Sequence, residues 1–227
     1  MFLKFLDKLD RKYGKFAIRN LAIYIAAGNL AVFLFSFVMP SIPGYLTLVP
    51  SLVMQGQVWR LITYIFIPPT FSILFILLTV YFYYMIGSTL EREWGSFHLN
   101  VYYFIGMLAT TIAAFITGGT NNIHLNLSLF LAFAYLYPNH EILLFFFLPV
   151  KMKYLAWFNL ALIGITILFG TWQDKIAAIV SLANYLLFFG DDMFKRMKTR
   201  RSSYYNRKNY FKQIEEGRKA NERNLHK

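Results

Sequence analysis

The feature that most constrains this chain is a long middle section almost without charge, placed between two basic ends. Of its 23 Lys and Arg residues, six precede Asn20 and twelve follow Gly190. Hydrophobic residues make up 57% of the 227-residue chain and aromatic residues 19%, whereas soluble domains are about 45–50% apolar. We therefore predict a membrane domain over residues 20–190, a basic segment over residues 1–19 and a basic tail over residues 191–227.

The apolar segments predict how many times the chain crosses a bilayer. A crossing helix needs about 20 mainly apolar residues, because lipid offers the backbone no hydrogen-bond partner. Six segments meet or approach that length, so the predicted fold is all-α, a polytopic bundle of six transmembrane helices. They are Asn20–Met39, Phe71–Ile86, His98–Thr117, His124–Tyr137, Tyr154–Phe169 and Ile176–Phe189. The fourth and sixth are short, which fits helices packed inside the bundle.

The basic residues also predict an orientation. Lys and Arg are enriched in cytoplasmic loops, so both basic termini are placed in the cytoplasm, which an even number of spans allows. No small-residue cleavage site follows the first span, so that span is interpreted as a retained helix. The outer loop Pro40–Thr70 is apolar enough to lie in the membrane interface. The stretch 138–153 is interpreted as a connection along the inner surface.

Four sequence elements then occur in a specific order. "WRLITYIF" lies in the outer loop, "GSTLEREWG" follows the second span, "VYYFIGMLATTIAAF" lies in the third and "FLAFAYLYPNHEILLFFFLPV" ends the fourth. With these elements the chain resembles the rhomboid family over about residues 20–190. Its outer loop is also similar to derlins, the non-proteolytic branch of that superfamily. The resemblance implies a rhomboid-like helical bundle.

The outer loop contains the first candidate site residues. Trp59 is an amphipathic ring suited to the membrane interface. Arg60 is a permanently charged fork that can bind a lipid phosphate or backbone carbonyls of its own loop. The resemblance implies the second role, with Arg60 pinning the loop to the bundle.

The inner end of the second span contains further candidates. Taken alone, Glu91 and its charged neighbours are as compatible with a solvated turn as with a structural role. The resemblance implies instead that Glu91 pairs with a basic or backbone donor that fixes the turn before the third span. Gly87, Gly95 and Gly106 fit close helix packing, because small residues let helix backbones approach in lipid.

The resemblance also allows a test for proteolysis. Active rhomboids use a Ser in a Gly-x-Ser-Gly turn at the start of the fourth span and a His from the sixth. Here "NNIHLNLSLFLAFAYLYP" contains no such turn, the family's Ser position falls near Ile123, and the sixth span contains no His. The family's assisting Asn and His on the second span fall near Thr79 and Phe75. A serine needs a base to become a nucleophile, so we predict a pseudoprotease.

One alternative constellation remains. His124 and Ser128 are four residues apart and share a helix face, with Asn121, Asn122 and Asn126 nearby as possible oxyanion donors. This arrangement would make the chain a divergent intramembrane serine protease. The simpler interpretation has His124 capping the fourth span, Ser128 bonded to its own helix and the asparagines starting that helix.

The predicted function follows from a bundle without proteolytic chemistry. We expect it to bind transmembrane segments of client membrane proteins, through the outer loop, the second span and the groove between the second and fifth spans. A structural or lipid-organising protein is the other alternative. The basic termini predict contact with anionic lipid; nucleic acid, a cofactor and a metal ion are not expected. The absence of charge at mid-depth argues against a proton-driven transporter.

The cellular location is predicted from weaker features. The chain is compact, has no cysteine and carries no retrieval signal. These features favour a bacterial plasma membrane.

Overall fold

The computed structural model describes residues 2–119, 122–144 and 148–190. Its helices are α1 Phe2–Tyr13, α2 Leu21–Val38, α3 Ile42–Leu46, α4 Pro50–Met54, α5 Arg60–Thr63, α6 Ile73–Trp94, α7 Ser96–Thr117, α8 Ile123–Leu136 and α9 Met152–Phe169. Residues 172–190 are also helical (α10). Strands β1, Glu141–Leu144, and β2, Leu148–Lys151, lie between α8 and α9. The predicted tail, residues 191–227, lies outside the described residues.

Three of the helices within the described ranges are long and apolar enough to cross a membrane. They are α2, α7 and α9. All six predicted spans overlap helices, but the prediction of six crossings is not confirmed. The fourth predicted span corresponds to the 14-residue helix α8, and α6 combines an apolar stretch with a charged end.

The helix α6 continues beyond Ile86, the predicted end of the second span, through Glu91 to Trp94. The helix ends only at Gly95, whose φ of +82° is a conformation that residues with a Cβ rarely adopt. Serine, threonine, leucine and glutamate after Gly87 do not interrupt a helix, so the backbone has no reason to turn before Gly95. Glu91 therefore projects from the last turns of a helix.

The predicted all-α class is confirmed, with one small addition: an antiparallel hairpin occupies part of the stretch predicted as an inner-surface connection. Glu141 pairs with Lys151 and Leu144 with Leu148. Pro149 is tolerated in β2 because a two-stranded hairpin leaves the outer side of each strand unpaired. The hairpin positions the start of α9, which follows β2 directly.

The connection between α2 and α6 (residues 39–72) is folded back into the core rather than extended. Leu48, Tyr64 and Ile65 belong to one buried cluster with Ile25 of α2 and Tyr103 of α7. Inside a membrane domain such a cluster is stabilised mainly by close packing and dispersion contacts. The outer loop of the prediction is therefore an integral part of the packed core.

The amino-terminal helix α1 contacts α7. Leu6 is fully buried, and His98 of α7 lies 3.2 Å from Asp7 and 3.9 Å from Asp10, measured between imidazole nitrogens and carboxylate oxygens. Arg11 and Lys12 are exposed. The acidic side of α1 is thus directed at the bundle, and basic residues remain available to solvent or lipid.

Candidate functional site

Ser128, the candidate nucleophile, belongs to a buried polar cluster formed by three helices. Its hydroxyl accepts a hydrogen bond from Asn184 Nδ2 of α10 at 2.9 Å and shares a short hydrogen bond with the hydroxyl of Tyr102 of α7. The Tyr102 hydroxyl also donates to the backbone oxygen of Ser128 at 2.9 Å. Ser128 is 1% exposed, so the cluster is closed to a substrate backbone.

Both hydroxyls of this cluster have hydrogen-bond partners. Either Tyr102 or Ser128 can supply the proton of the bond that they share. The amide of Asn184 donates to the serine oxygen in addition. A neutral phenol is a poor base, so these partners hold the hydroxyl without activating it. The side chain of His124 lies outside the described residues.

Gly106 provides the space that this cluster requires. A Cβ atom added to it would lie 2.6 Å from Leu125 Cδ1 and 2.7 Å from Asn184 Nδ2. Real Cβ contacts are not that short, so any side chain at this position would displace Asn184 from Ser128. The sequence suggested close packing at Gly106, but Tyr102 and Asn184 were missed, because single polar atoms in apolar spans show no spacing signal.

The asparagines considered as oxyanion donors differ in their partners. Asn122 is buried at the start of α8, and its Nδ2 donates to the backbone oxygens of Ile65, at 3.0 Å, and Ile67, at 2.8 Å. Asn126 is also buried, and its Nδ2 has no hydrogen-bond partner among the described residues. The amide of Asn122 therefore holds the α2–α6 connection, and that of Asn126 does not. Asn121 lies outside the described residues.

Arg60 links separate parts of the α2–α6 connection to one another by hydrogen bonds. It is 3% exposed, and its Nη1 donates to the carbonyls of Gly44, at 2.7 Å, and Thr47, at 2.6 Å. Its Nε donates to Gln57 Oε1 at 2.7 Å. One planar guanidinium thus connects the backbone at Gly44 and Thr47 with the side chain of Gln57. A lysine ammonium lacks this planar fork and cannot make the same three bonds.

Trp59 and Tyr64 make the neighbouring contacts. The indole N–H of Trp59 donates to the carbonyl of Tyr45 at 3.2 Å, and its ring is half exposed. The hydroxyl of Tyr64 donates to the carbonyl of Met107 on α7 at 3.1 Å, and burial raises the pKa of Tyr64 to about 12. Arg60 thus closes this loop, and Tyr64 and the amide of Asn122 attach it to the bundle.

Glu91 connects three parts of the chain at the end of α6. Its Oε1 accepts hydrogen bonds from the backbone N–H of Asn20, at 2.7 Å, and from Ser96 Oγ, at 2.6 Å. Asn20 directly precedes α2, and Ser96 is the first residue of α7. One turn earlier on α6, Gly87 packs directly against Ala22 of α2. The glycine and the carboxylate together fix how closely α2 and α6 approach.

The helix α9 differs from the other two candidate spans in how little of it is covered. Buried residues make up 11% of the 18-residue apolar stretch of α9, against 44% for that of α7. Trp157 is 72% exposed and Phe158 62%. Asn159 lies beside them and donates to the carbonyl of Leu155. The helix packs against α8 and β2, and only Met152 and Ile163 of α9 are buried.

A bundle with long, uncharged helices, exposed apolar faces and an interior held by single hydrogen bonds defines an integral membrane protein of the helical class. The chain belongs to the family described as "Eukaryotic integral membrane protein (DUF1751)", whose model matches residues 19–189. No curated protein matches the chain.

This family corrects the predicted location. Its members are described as eukaryotic, so the prediction of a bacterial plasma membrane is wrong. Compact chains without cysteine occur in the membranes of bacteria and of eukaryotes, so these features could not distinguish the two locations. The rhomboid resemblance is neither established nor contradicted by this membership.

Proposed function

We propose that this protein is a six-helix, rhomboid-like membrane protein without proteolytic activity that binds transmembrane segments of other membrane proteins. Both basic termini would lie on the cytoplasmic side, where anionic lipid attracts them at about 1 kcal/mol per basic residue near the surface. The proposal has a chemical part, the lack of catalysis, and a binding part, the recognition of helices.

The state of Ser128 supports the chemical part. A serine protease requires a hydroxyl that faces a base and a substrate carbonyl at the same time. Here the hydroxyl is buried, and both Tyr102 and Asn184 engage it. Opening this cluster would leave three polar groups without partners in a region that excludes water, at a cost of about 1–3 kcal/mol each.

The open face of α9 carries the binding part. In lipid, helices associate through close packing and occasional polar contacts rather than through the hydrophobic effect. Trp157, Phe158 and Ile165 are exposed, and their spacing places them on one face of α9. Gly164 adds a position where a Cβ would meet nothing within 4 Å, so a second helix could approach the backbone there.

Site-specific photocrosslinking in native membranes tests the binding part. A photoreactive phenylalanine analogue at Phe158 should form discrete protein adducts, and peptide mapping should place the crosslinks within transmembrane segments of the partners. The same analogue at Phe35 of α2, which is comparably exposed at 61%, is the matched control and should label lipid. Equal labelling at both positions, or adducts confined to soluble domains, would contradict helix binding by α9.

A fluorophosphonate probe tests the chemical part separately. The wild-type chain should not react, beside an active rhomboid that does react in the same membranes. Labelling that disappears in Ser128→Ala would show an activated serine and refute the pseudoprotease proposal, whatever the crosslinking result.

A further inference from the structure

A cavity of about 480 Å³ lies where the start of α2 meets the last turns of α6. This volume is in the range of small-ligand sites, about 300–1,000 Å³. Its lining includes Asn20, Tyr81, Tyr84, Ser88, Glu91 and Arg92. The cavity is thus polar at one end and aromatic at the other, and it is separate from the Ser128 cluster and from the open face of α9.

Arg92 at the polar end has donors that no acceptor within the described ranges occupies. Arg92 is exposed, and its Nη2 donates to Thr89 Oγ1 at 3.3 Å. Arg19, exposed and adjacent to Asn20, adds a second positive charge at this end of α2. The nearby carboxylate of Glu91 accepts two hydrogen bonds through Oε1. Its single negative charge is outnumbered by the charges of Arg19 and Arg92, so an anion is the ligand that matches this end of the cavity.

The other end of the cavity is suited to the apolar part of a ligand. Tyr81 and Tyr84 are exposed by 61% and 41%. They precede Arg92 by two to three helical turns, a distance of about 12–16 Å along α6. Tyrosine is typical of the boundary between headgroups and acyl chains. The lining therefore suits a charged headgroup at Arg92 and a lipid chain at Tyr81.

We propose that this cavity is a binding site for one anionic glycerophospholipid, with its phosphate at Arg92 and its chains along the two tyrosines. A free phosphate would use only the polar end. The proposal requires that the chain lies in a membrane, but it does not require that α9 binds helices. Failure of one proposal therefore leaves the other intact.

The test is native mass spectrometry of the delipidated full-length chain, titrated with phosphatidylserine or with phosphatidylcholine of identical acyl chains. The wild type should bind a first phosphatidylserine at least about ten-fold more tightly than a first phosphatidylcholine. Arg92→Gln should weaken that first binding step about ten-fold, the scale of one charge-assisted hydrogen bond. Arg11→Gln removes the same charge from the exposed side of α1 and should change it less than two-fold.

Ser88→Phe provides a second variant that fills the cavity without changing the charge, and it too should lose the tight step. Equal losses in Arg92→Gln and Arg11→Gln would show diffuse attraction to a basic surface and overturn the site. Equal binding of the two lipids by the wild type would overturn its anionic preference. Displacement of the lipid by millimolar inorganic phosphate would show that the site binds the free anion rather than the lipid.

Discussion

Arg60 allows a direct test of how the α2–α6 connection is held. Its guanidinium makes three hydrogen bonds of 2.6–2.7 Å while 3% exposed. Arg60→Met removes the charge and leaves the carbonyls of Gly44 and Thr47 without their donor. Arg60→Lys keeps the charge but cannot reach all three acceptors, because an ammonium lacks the planar fork.

The magnitude follows from the buried acceptors. Arg60→Met leaves three neutral acceptors without their donor, and each buried acceptor left unpaired costs about 1–3 kcal/mol. At roughly 2–4 °C per kcal/mol for a chain of this size, a loss of about 3 kcal/mol lowers the midpoint of thermal unfolding by about 6–12 °C. We expect a drop of this order for Arg60→Met and at least half of it for Arg60→Lys.

The assay is thermal unfolding of the purified chain in one detergent, followed by size-exclusion chromatography. Hydrogen exchange over residues 42–63 should accelerate in the same variants, because the lost bonds are local to that segment. Arg11→Met and Arg11→Lys, at an exposed position, are matched controls and should unfold within about 2 °C of wild type. If Arg60→Lys also does so, a single charge is sufficient and the argument from fork geometry is refuted.

Three further predictions use the same thermal assay. Gly106→Ala should destabilise the chain by about 1–3 kcal/mol, since overpacking a filled site carries that cost, whereas Gly164→Ala, in open space, should not; equal midpoints would disprove the packing argument. Glu91→Ala should cost about 1–3 kcal/mol, and Glu141→Ala, which removes an exposed ion pair, less than about 1 kcal/mol; the reverse order would show that Glu91 holds nothing. Asn122→Asp should destabilise more than Asn122→Ala, because a carboxylate would face two carbonyl oxygens; the opposite ranking would exclude those bonds.

Much of the helical framework could be predicted from the sequence. Apolar length alone located α2, α7 and α9 to within about two residues, because a membrane helix must satisfy its backbone internally. The end of α6 was not predictable in this way. The helix continues to Trp94 while Glu91 binds Asn20, a residue 71 positions earlier, and no local pattern reports a contact at that separation.

The site was less predictable than the helices. An amphipathic helix shows its buried face in the sequence, but spans that are apolar on every side do not. Nothing in "NLSLF" indicates that Ser128 faces α7 and α10 rather than lipid. The hairpin was missed for a related reason, since a short apolar run between two prolines is equally compatible with a strand or a surface connection.

The contact between the start of α2 and α7 has a consequence for biosynthesis. Asn100 exchanges two hydrogen bonds with the backbone of Ile18, and these partners are 82 residues apart in the chain. A ribosome adds about 5–20 residues per second, so the amino terminus is made roughly 4–16 s before its docking site exists. During that interval the side of α1 that packs on α7 is exposed to chaperones, membrane surfaces and modifying enzymes, and that side is covered only when α7 is inserted.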